Sequence, residues 1–232
     1  MDYTYDTLKK DGWTLIKAST ISAASYFVCK DKARPAIGCI LIEVDDGGTS
    51  ATATDSYKLG HFVSMDPGIN EPERFLLKWE PVKNAKLIAP NPKKCTWLAI
   101  RHAKNENGTP LPVLELMTLD EGNYGFSKVG QLTVDEFEGN FPNWKVLDGR
   151  DDYLKNPTKK DSKDKVGANP YESPGINTSF LVDIFRAIER AVSHDGDAVT
   201  QILHRHLMEP MYLTANNKSG ESALAICMPV RM

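Results

Sequence analysis

Residues 51–62 read A-T-A-T-D-S-Y-K-L-G-H-F, and two other stretches have to be read with them. Small and β-branched residues run into the polar pair Asp55-Ser56, after which Tyr57, Leu59 and Phe62 resume an apolar pattern. A strand, a tight turn and a second strand are the natural reading. The chain ends in I-C-M-P-V-R-M over residues 226–232, an apolar strand closing on a proline and an arginine. Residues 141–147, F-P-N-W-K-V-L, set two aromatics around another proline.

Outward from this hairpin, one order of elements recurs. Trp13, Ile16, Ala23, Ala24 and Phe27 fall close to helical spacing with no Gly or Pro among them, which predicts a helix over 13–27. Beyond Pro35, the largely apolar run 37–44 reads as a strand buried on both faces. Asp45-Asp46-Gly47-Gly48 marks a turn. Strands follow at 49–54 and 58–63, and a Pro/Gly/Asn/Glu-rich connection at 66–73 ends the unit. A second unit has a strand at 74–79, then Pro81 in a favoured first helical position before a helix at 82–89, which Pro90 and Pro92 stop. Its strands are expected at 96–102, 113–119 and 124–129. After Pro174 a third unit begins, with Thr178 or Ser179 as cap and Leu181, Ile184, Phe185, Ile188 and Val192 as the apolar stripe of a helix. Strands at 198–206, 211–215 and 223–228 complete it.

Residues 148–165, D-G-R-D-D-Y-L-K-N-P-T-K-K-D-S-K-D-K, mix charges of both signs with almost nothing to bury and read as a solvated linker. The expected organisation is therefore a two-unit domain over 1–147, a charged linker over 148–173 and a single unit over 174–232. The fold class is α+β, with helices packed on one face of antiparallel sheets.

A chain of 232 residues with 41% hydrophobic and 25% charged residues can bury a substantial core without metals or disulfides. Its net charge of −3 places any nucleic-acid contact on a local basic face. Cys29, Cys39, Cys95 and Cys227 lie far apart inside apolar or strand-like runs and read as buried, reduced thiols. The N-terminus, M-D-Y-T-Y-D, is acidic where a signal peptide would be basic, and no apolar run approaches the ~20 residues of a membrane span. A reducing cytoplasm is the expected location.

His204 and His206 fall on one face of a strand near Glu209, but a third ligand at proper spacing is missing, and polar residues on a wet strand face explain the pair. Asp195-Gly196-Asp197 lacks the rest of a calcium loop and reads as a turn. No phosphate loop, dinucleotide fingerprint or nucleophile elbow is present, so neither catalysis nor a cofactor or metal is expected. Lys83 and Lys86 are three apart on the second expected helix, Arg186 and Arg190 four apart on the third, and Lys17 falls on the first. Each helix thus carries positive charge on its outer side, although Glu80 and Glu189 beside them also fit ordinary solubilising charge.

The A-T-D-S-Y-K-L, F-P-N-W and M-P-V-R-M segments together resemble motifs of the bacterial replicative sliding clamp, the DNA polymerase III beta subunit family. Ser56 stands where that family usually has glycine and Tyr57 where histidine is common, and the second motif is one residue shorter before Val146. The resemblance implies the DNA-clamp fold, built of repeated strand-helix-three-strand units with helices lining a hole and sheets forming the outer wall. It implies an apolar cleft for peptide tails of polymerases and clamp loaders. Thr54, Ser56, Tyr57, Lys58 and Leu59, then Pro142 and Val146, then Ile226, Met228, Pro229, Val230 and Arg231 would form it. It also implies contact of Lys17, Lys83, Lys86, Arg186 and Arg190 with the backbone of double-stranded DNA, without base reading. The family's first domain and half of its last have no counterpart here, so a ring of the family's size, about twelve units, would take four chains of three with closed symmetry. An alternative is a clamp-fold peptide-binding adaptor or competitor that never encircles DNA.

Overall fold

The computed structural model describes residues 3–46, 48–65, 68, 70–79, 96–155, 176–192, 199–204 and 209–229, with Tyr153 described by its backbone alone. A short helix, α1 (Tyr5–Lys10), precedes strand β1 (Thr14–Lys17), helix α2 (Ala18–Ala24) and a 3-10 turn at Ser25–Phe27. Strands β2 (Cys39–Asp45), β3 (Gly48–Thr54) and β4 (Lys58–Ser64) complete the first unit. The second contributes β5 (Arg74–Lys78), β6 (Thr96–Lys104), β7 (Pro110–Gly122) and β8 (Gly125–Asp135). Helix α3 (Arg150–Lys155) is followed by the third unit, with α4 (Thr178–Val192), β9 (Gln201–Leu203), β10 (Met211–Asn216) and β11 (Ser222–Cys227).

The expected helix at 13–27 is thus a strand followed by a shorter helix. Leu15 and Ile16 point into two different apolar clusters, the alternation of a strand, and β1 is held by antiparallel pairing to β6. Helical spacing survives only in α2, all seven of whose residues are buried. Two further differences are local. Asn177, rather than Thr178 or Ser179, caps α4 by accepting the Ser179 N–H at 2.9 Å, and part of the expected linker is the helix α3. The helix expected at 82–89, most of the linker and Cys95 lie outside the described residues.

The first two units are interlocked by exchange of their leading strands. β1 opens the first unit but completes the sheet of the second, in the order β1-β6-β7-β8, and β5 opens the second but pairs with β2 of the first. The third unit then joins edge to edge: β11 pairs antiparallel with β4 from Ser222↔Val63 to Cys227↔Lys58. The result is a seven-stranded sheet, β5-β2-β3-β4-β11-β10-β9. The register, ending at Cys227↔Lys58, sets the end of β11 against the 54–59 turn.

Each sheet has an apolar face on both sides. The inner faces share one core, in which Ile40, Ile42, Ala51, Ala53, Phe62, Leu98, Ile100, Leu213 and Ala225 meet Ile21 and Phe27 of the first unit and Ile184, Ala187 and Ile188 of α4. Small residues run through the central strands because the helical layer presses on them. At Gly60 an added Cβ would lie 2.6 Å from ring atoms of both Phe27 and Phe62, so a side chain there would displace one of the two rings. On the outer side, α1 covers the four-stranded sheet through Leu8 and Tyr5, whose ring meets Phe126 edge-on at 4.8 Å. The segment after β8 covers the seven-stranded sheet through Phe137, Phe141 and Trp144. Cys39 and Cys227 are buried and burial pushes both thiols up to about 11, which keeps them unreactive. Among the described residues no helix is long and apolar enough to cross a membrane.

Candidate functional site

The turn between β3 and β4 is fastened by its own polar side chains. Asp55 Oδ1 accepts the N–H groups of Tyr57 and Lys58, each at 2.9 Å. Thr54 Oγ1 donates to the Lys58 carbonyl at 2.9 Å and accepts the Ser56 N–H at 3.1 Å. This geometry forces Ser56 into the left-handed region, with φ of 80°. A Cβ is strained there, which gives a physical reason for glycine at this point of such a turn. Ser56→Gly is expected to raise stability by about 0.5–1 kcal/mol, the relief of strain outweighing the added freedom of the unfolded chain. Chemical denaturation checks this, and a lower midpoint would show that the serine hydroxyl contributes more than the strain costs.

The final strand lies beside this turn. Met228 N–H donates to the Tyr57 carbonyl at 2.9 Å, directly continuing the β4–β11 ladder. Pairing carries one row of side chains across the outer face, Thr54–Leu59–Ile226–Tyr212–Leu203. Leu59 and Ile226, 3% exposed each, are buried in a cluster with Leu41, Leu76, Phe141, Trp144, Tyr212 and Leu224. Tyr57, Met228 and Val146 are 58%, 42% and 74% exposed, and Pro142 and Ser56 are exposed too. Pro229 is partly buried, and Val230 and Arg231 lie outside the described residues. Thr54, Leu59, Ile226, Tyr57 and Met228 are therefore brought together by register and hydrogen bonding.

Lys58 is not on that face, and its expected part in holding a peptide is corrected. Strand alternation turns it inward, opposite to Leu59, where it is 5% exposed. Its ammonium lies 2.5 Å from Asp183 Oδ2 on α4 and 5.4 Å from the ring centres of both Phe27 and Phe180. Phe180 also stacks on Tyr57, with ring centres 6.2 Å apart. The expected peptide anchor is thus the joint between the turn and the third unit.

Residues not singled out beforehand complete the outer face. Trp144 is 7% exposed and stacks on His61, with centroids 4.3 Å apart, while His61 Nδ1 shares a 2.9 Å hydrogen bond with Thr52. Burial, reinforced by the nearby positive charges of Arg150 and Lys145, lowers the His61 pKa to about 4, so the ring is neutral at ordinary pH. Asp148 holds Arg150 in a two-bonded ion pair at 2.7 and 2.8 Å, and that bonding keeps the Asp148 carboxyl below its usual range. His61 was legible as the residue two beyond Leu59 on the same strand face.

The basic residues of the helical side divide. Arg186 and Arg190 are exposed on α4. Lys17 ends β1 rather than riding on a helix, and its ammonium pairs with the buried carboxylate of Glu221. Lys83 and Lys86 lie outside the described residues. So does His206; His204 is partly buried, and among the described residues no group of three His, Cys, Asp or Glu side chains could hold a metal.

No protein-family model and no curated protein sequence matches the chain. Solved structures do. The DNA polymerase III beta chain of Streptococcus pneumoniae aligns with a TM-score of 0.58 at 12% identity over 95% of this chain and 65% of that one. The sliding clamp of Bacillus subtilis gives 0.58 at 12% over 95% and 64%, and the beta subunit of Thermotoga maritima 0.56 at 13% over 95% and 65%. The chain therefore spans about 65% of the length of these clamps. With its exchanged leading strands, edge-joined sheet and inner helices, it has the fold of the DNA polymerase III beta sliding clamps in a shortened form.

Proposed function

We propose that the chain is a non-enzymatic processivity factor, which tethers replication proteins to double-stranded DNA by binding their peptide tails on the outer surface between the 54–59 turn and the final strand. The observation that carries this reading is the junction of β11 with β4. It sets the exposed Met228 and, through a backbone hydrogen bond, Tyr57 at the edge of an apolar cluster, Leu59 and Ile226, that Trp144 covers. Methionine and tyrosine supply adaptable and rigid apolar area respectively, suited to short peptides with aliphatic or aromatic anchors. DNA would be met through Arg186 and Arg190 on α4 as a backbone contact weakened by salt, in an oligomer of several chains.

Fluorescence polarisation with a labelled C-terminal polymerase peptide tests this. Met228→Asp combined with Tyr57→Ala is expected to weaken binding at least about tenfold, the loss of hot-spot contacts. Both residues are exposed, so the fold should survive; a polar residue at the buried Leu59 would instead report on folding. Unchanged affinity would remove the peptide assignment.

One observation favours a second reading, an adaptor or competitor that keeps the peptide surface without encircling DNA. The Lys17 charge is spent on Glu221 and α2 is buried all round, so the helical side of the first unit offers DNA little there. Retention on circular DNA that is lost on linearisation is the result expected of the first reading; equal behaviour on both would select the second.

A further inference from the structure

We infer that the flank of the third unit facing away from β4 is an interface, and that its occupant is the third unit of a second copy of this chain, related by a two-fold axis. The inference deepens the oligomeric part of the proposed function and rests on the fold rather than on peptide binding.

The first two units show what a unit of this kind needs. In each, the first strand of the three-stranded run is covered on its outer edge by the leading strand of the other unit, β5 on β2 and β1 on β6. As a result the inner-face residues of those first strands, Ile40 and Ile42 on β2 and Leu98 and Ile100 on β6, are 0% exposed. β9 is the corresponding strand of the third unit. It ends the seven-stranded order, and among the described residues no strand pairs with its outer edge. Ile202, opposite Leu213 and so on the inner face, is 52% exposed, and Val199 just before it is 76% exposed.

The helix above repeats the pattern. Asp183 reaches Lys58 of β4 and so marks the flank of α4 that faces the first unit. Phe185 lies two residues on, about 200° around a helix with 3.6 residues per turn, and therefore on the opposite flank. It is 43% exposed, and Val182 is 41% exposed. Apolar side chains are thus open on both the strand and the helix of one flank, whereas the corresponding strand residues of the first two units and the helix of the first are covered.

The occupant follows from the count. Units one and two cover each other, and the described residues leave an odd third unit whose complement, in this architecture, is another unit. A second copy offers one with the same exposed flank, and a self-complementary patch closes by two-fold symmetry. Two chains joined in this way would place a composite domain between two complete ones.

The test is the mass of the full-length protein in solution, by light scattering and sedimentation velocity across the micromolar range. The expected result is an even-numbered oligomer whose mass is halved by Phe185→Arg with Ile202→Lys, while Tyr124→Arg, at an 87% exposed site elsewhere, changes nothing. Far-UV circular dichroism and peptide binding should be retained, which separates failure of this interface from failure of the peptide surface. A monomeric wild type would overturn the inference. An oligomer indifferent to the double substitution would overturn it as well, by placing the contact on another face.

Discussion

Asp183→Ala is expected to cost about 3 kcal/mol of folding stability, and Lys58→Met, at the other end of the same ion pair, only about 1 kcal/mol. The two partners are unequally buried: the Lys58 side chain is 4% exposed and that of Asp183 35%. Removing the carboxylate strands an ammonium between β4 and α4, where water cannot replace the lost partner, and breaking buried pairs in this way commonly costs about 3–5 kcal/mol. The lower end of that range applies because Phe27 and Phe180 present ring faces to the charge. In Lys58→Met the long apolar stem is kept, its contacts with both rings persist, and the remaining carboxylate can turn to solvent. Because the pair ties the 54–59 turn to α4, the loss should fall on docking of the third unit. Equilibrium denaturation of both single variants and the double variant checks this, the cycle giving the coupling directly. A larger loss for Lys58→Met than for Asp183→Ala would mean that the lysine is retained for something other than this joint.

The same lysine shows where sequence reading succeeded and where it stopped. The hairpin at 51–62 and the closing strand were legible because period-two alternation and turn chemistry are local properties, and their resemblance to clamp motifs put them side by side. The direction of Lys58 was legible in principle, since it alternates with Leu59, but a motif assigns a residue to a site without saying which face of the strand it occupies. β1 was lost inside a helix because T-L-I-K is short and flanked by helix-compatible residues; only pairing with β6, far along the chain, makes it a strand. The outer cluster was half seen. From F-P-N-W-K-V-L the expected site took Pro142 and Val146, whereas burial goes to Phe141 and Trp144, and Pro142 and Val146 stay exposed. Exposure of Phe185 could not be read from its place in the helical stripe, because helical spacing marks how wide an apolar stripe is and not how much of it a neighbour covers.

The largest single loss is expected from Trp144→Ala: about 3–4 kcal/mol at pH 8, together with a change in how stability depends on pH. Trp144 is the lid of the outer cluster, 7% exposed over Leu59, Ile226 and Tyr212, and its removal leaves a cavity that the surrounding strands cannot close. It also covers His61, whose pKa of about 4 in the folded protein lies below the ordinary 6.5 because the buried ring resists protonation, with Arg150 and Lys145 adding repulsion against the opposing pull of Asp45 and Asp148. Between pH 6.5 and 4 the unfolded chain therefore binds the proton that the folded chain refuses. The His61 contribution is full above pH 6.5 and is lost as the pH falls toward 4, a difference on the order of 3 kcal/mol. In Trp144→Ala the ring gains solvent, its pKa should rise toward 6.5, and this part of the acid sensitivity should fade. Wild type and variant should then differ most at pH 8 and least near pH 4.5, carboxylates common to both cancelling in the comparison. Denaturation at the two pH values, with NMR titration of the His61 ring, measures both effects. A difference that stayed constant with pH would show that Trp144 fills space without shielding the histidine, and would detach the acid response from the surface proposed to take peptides.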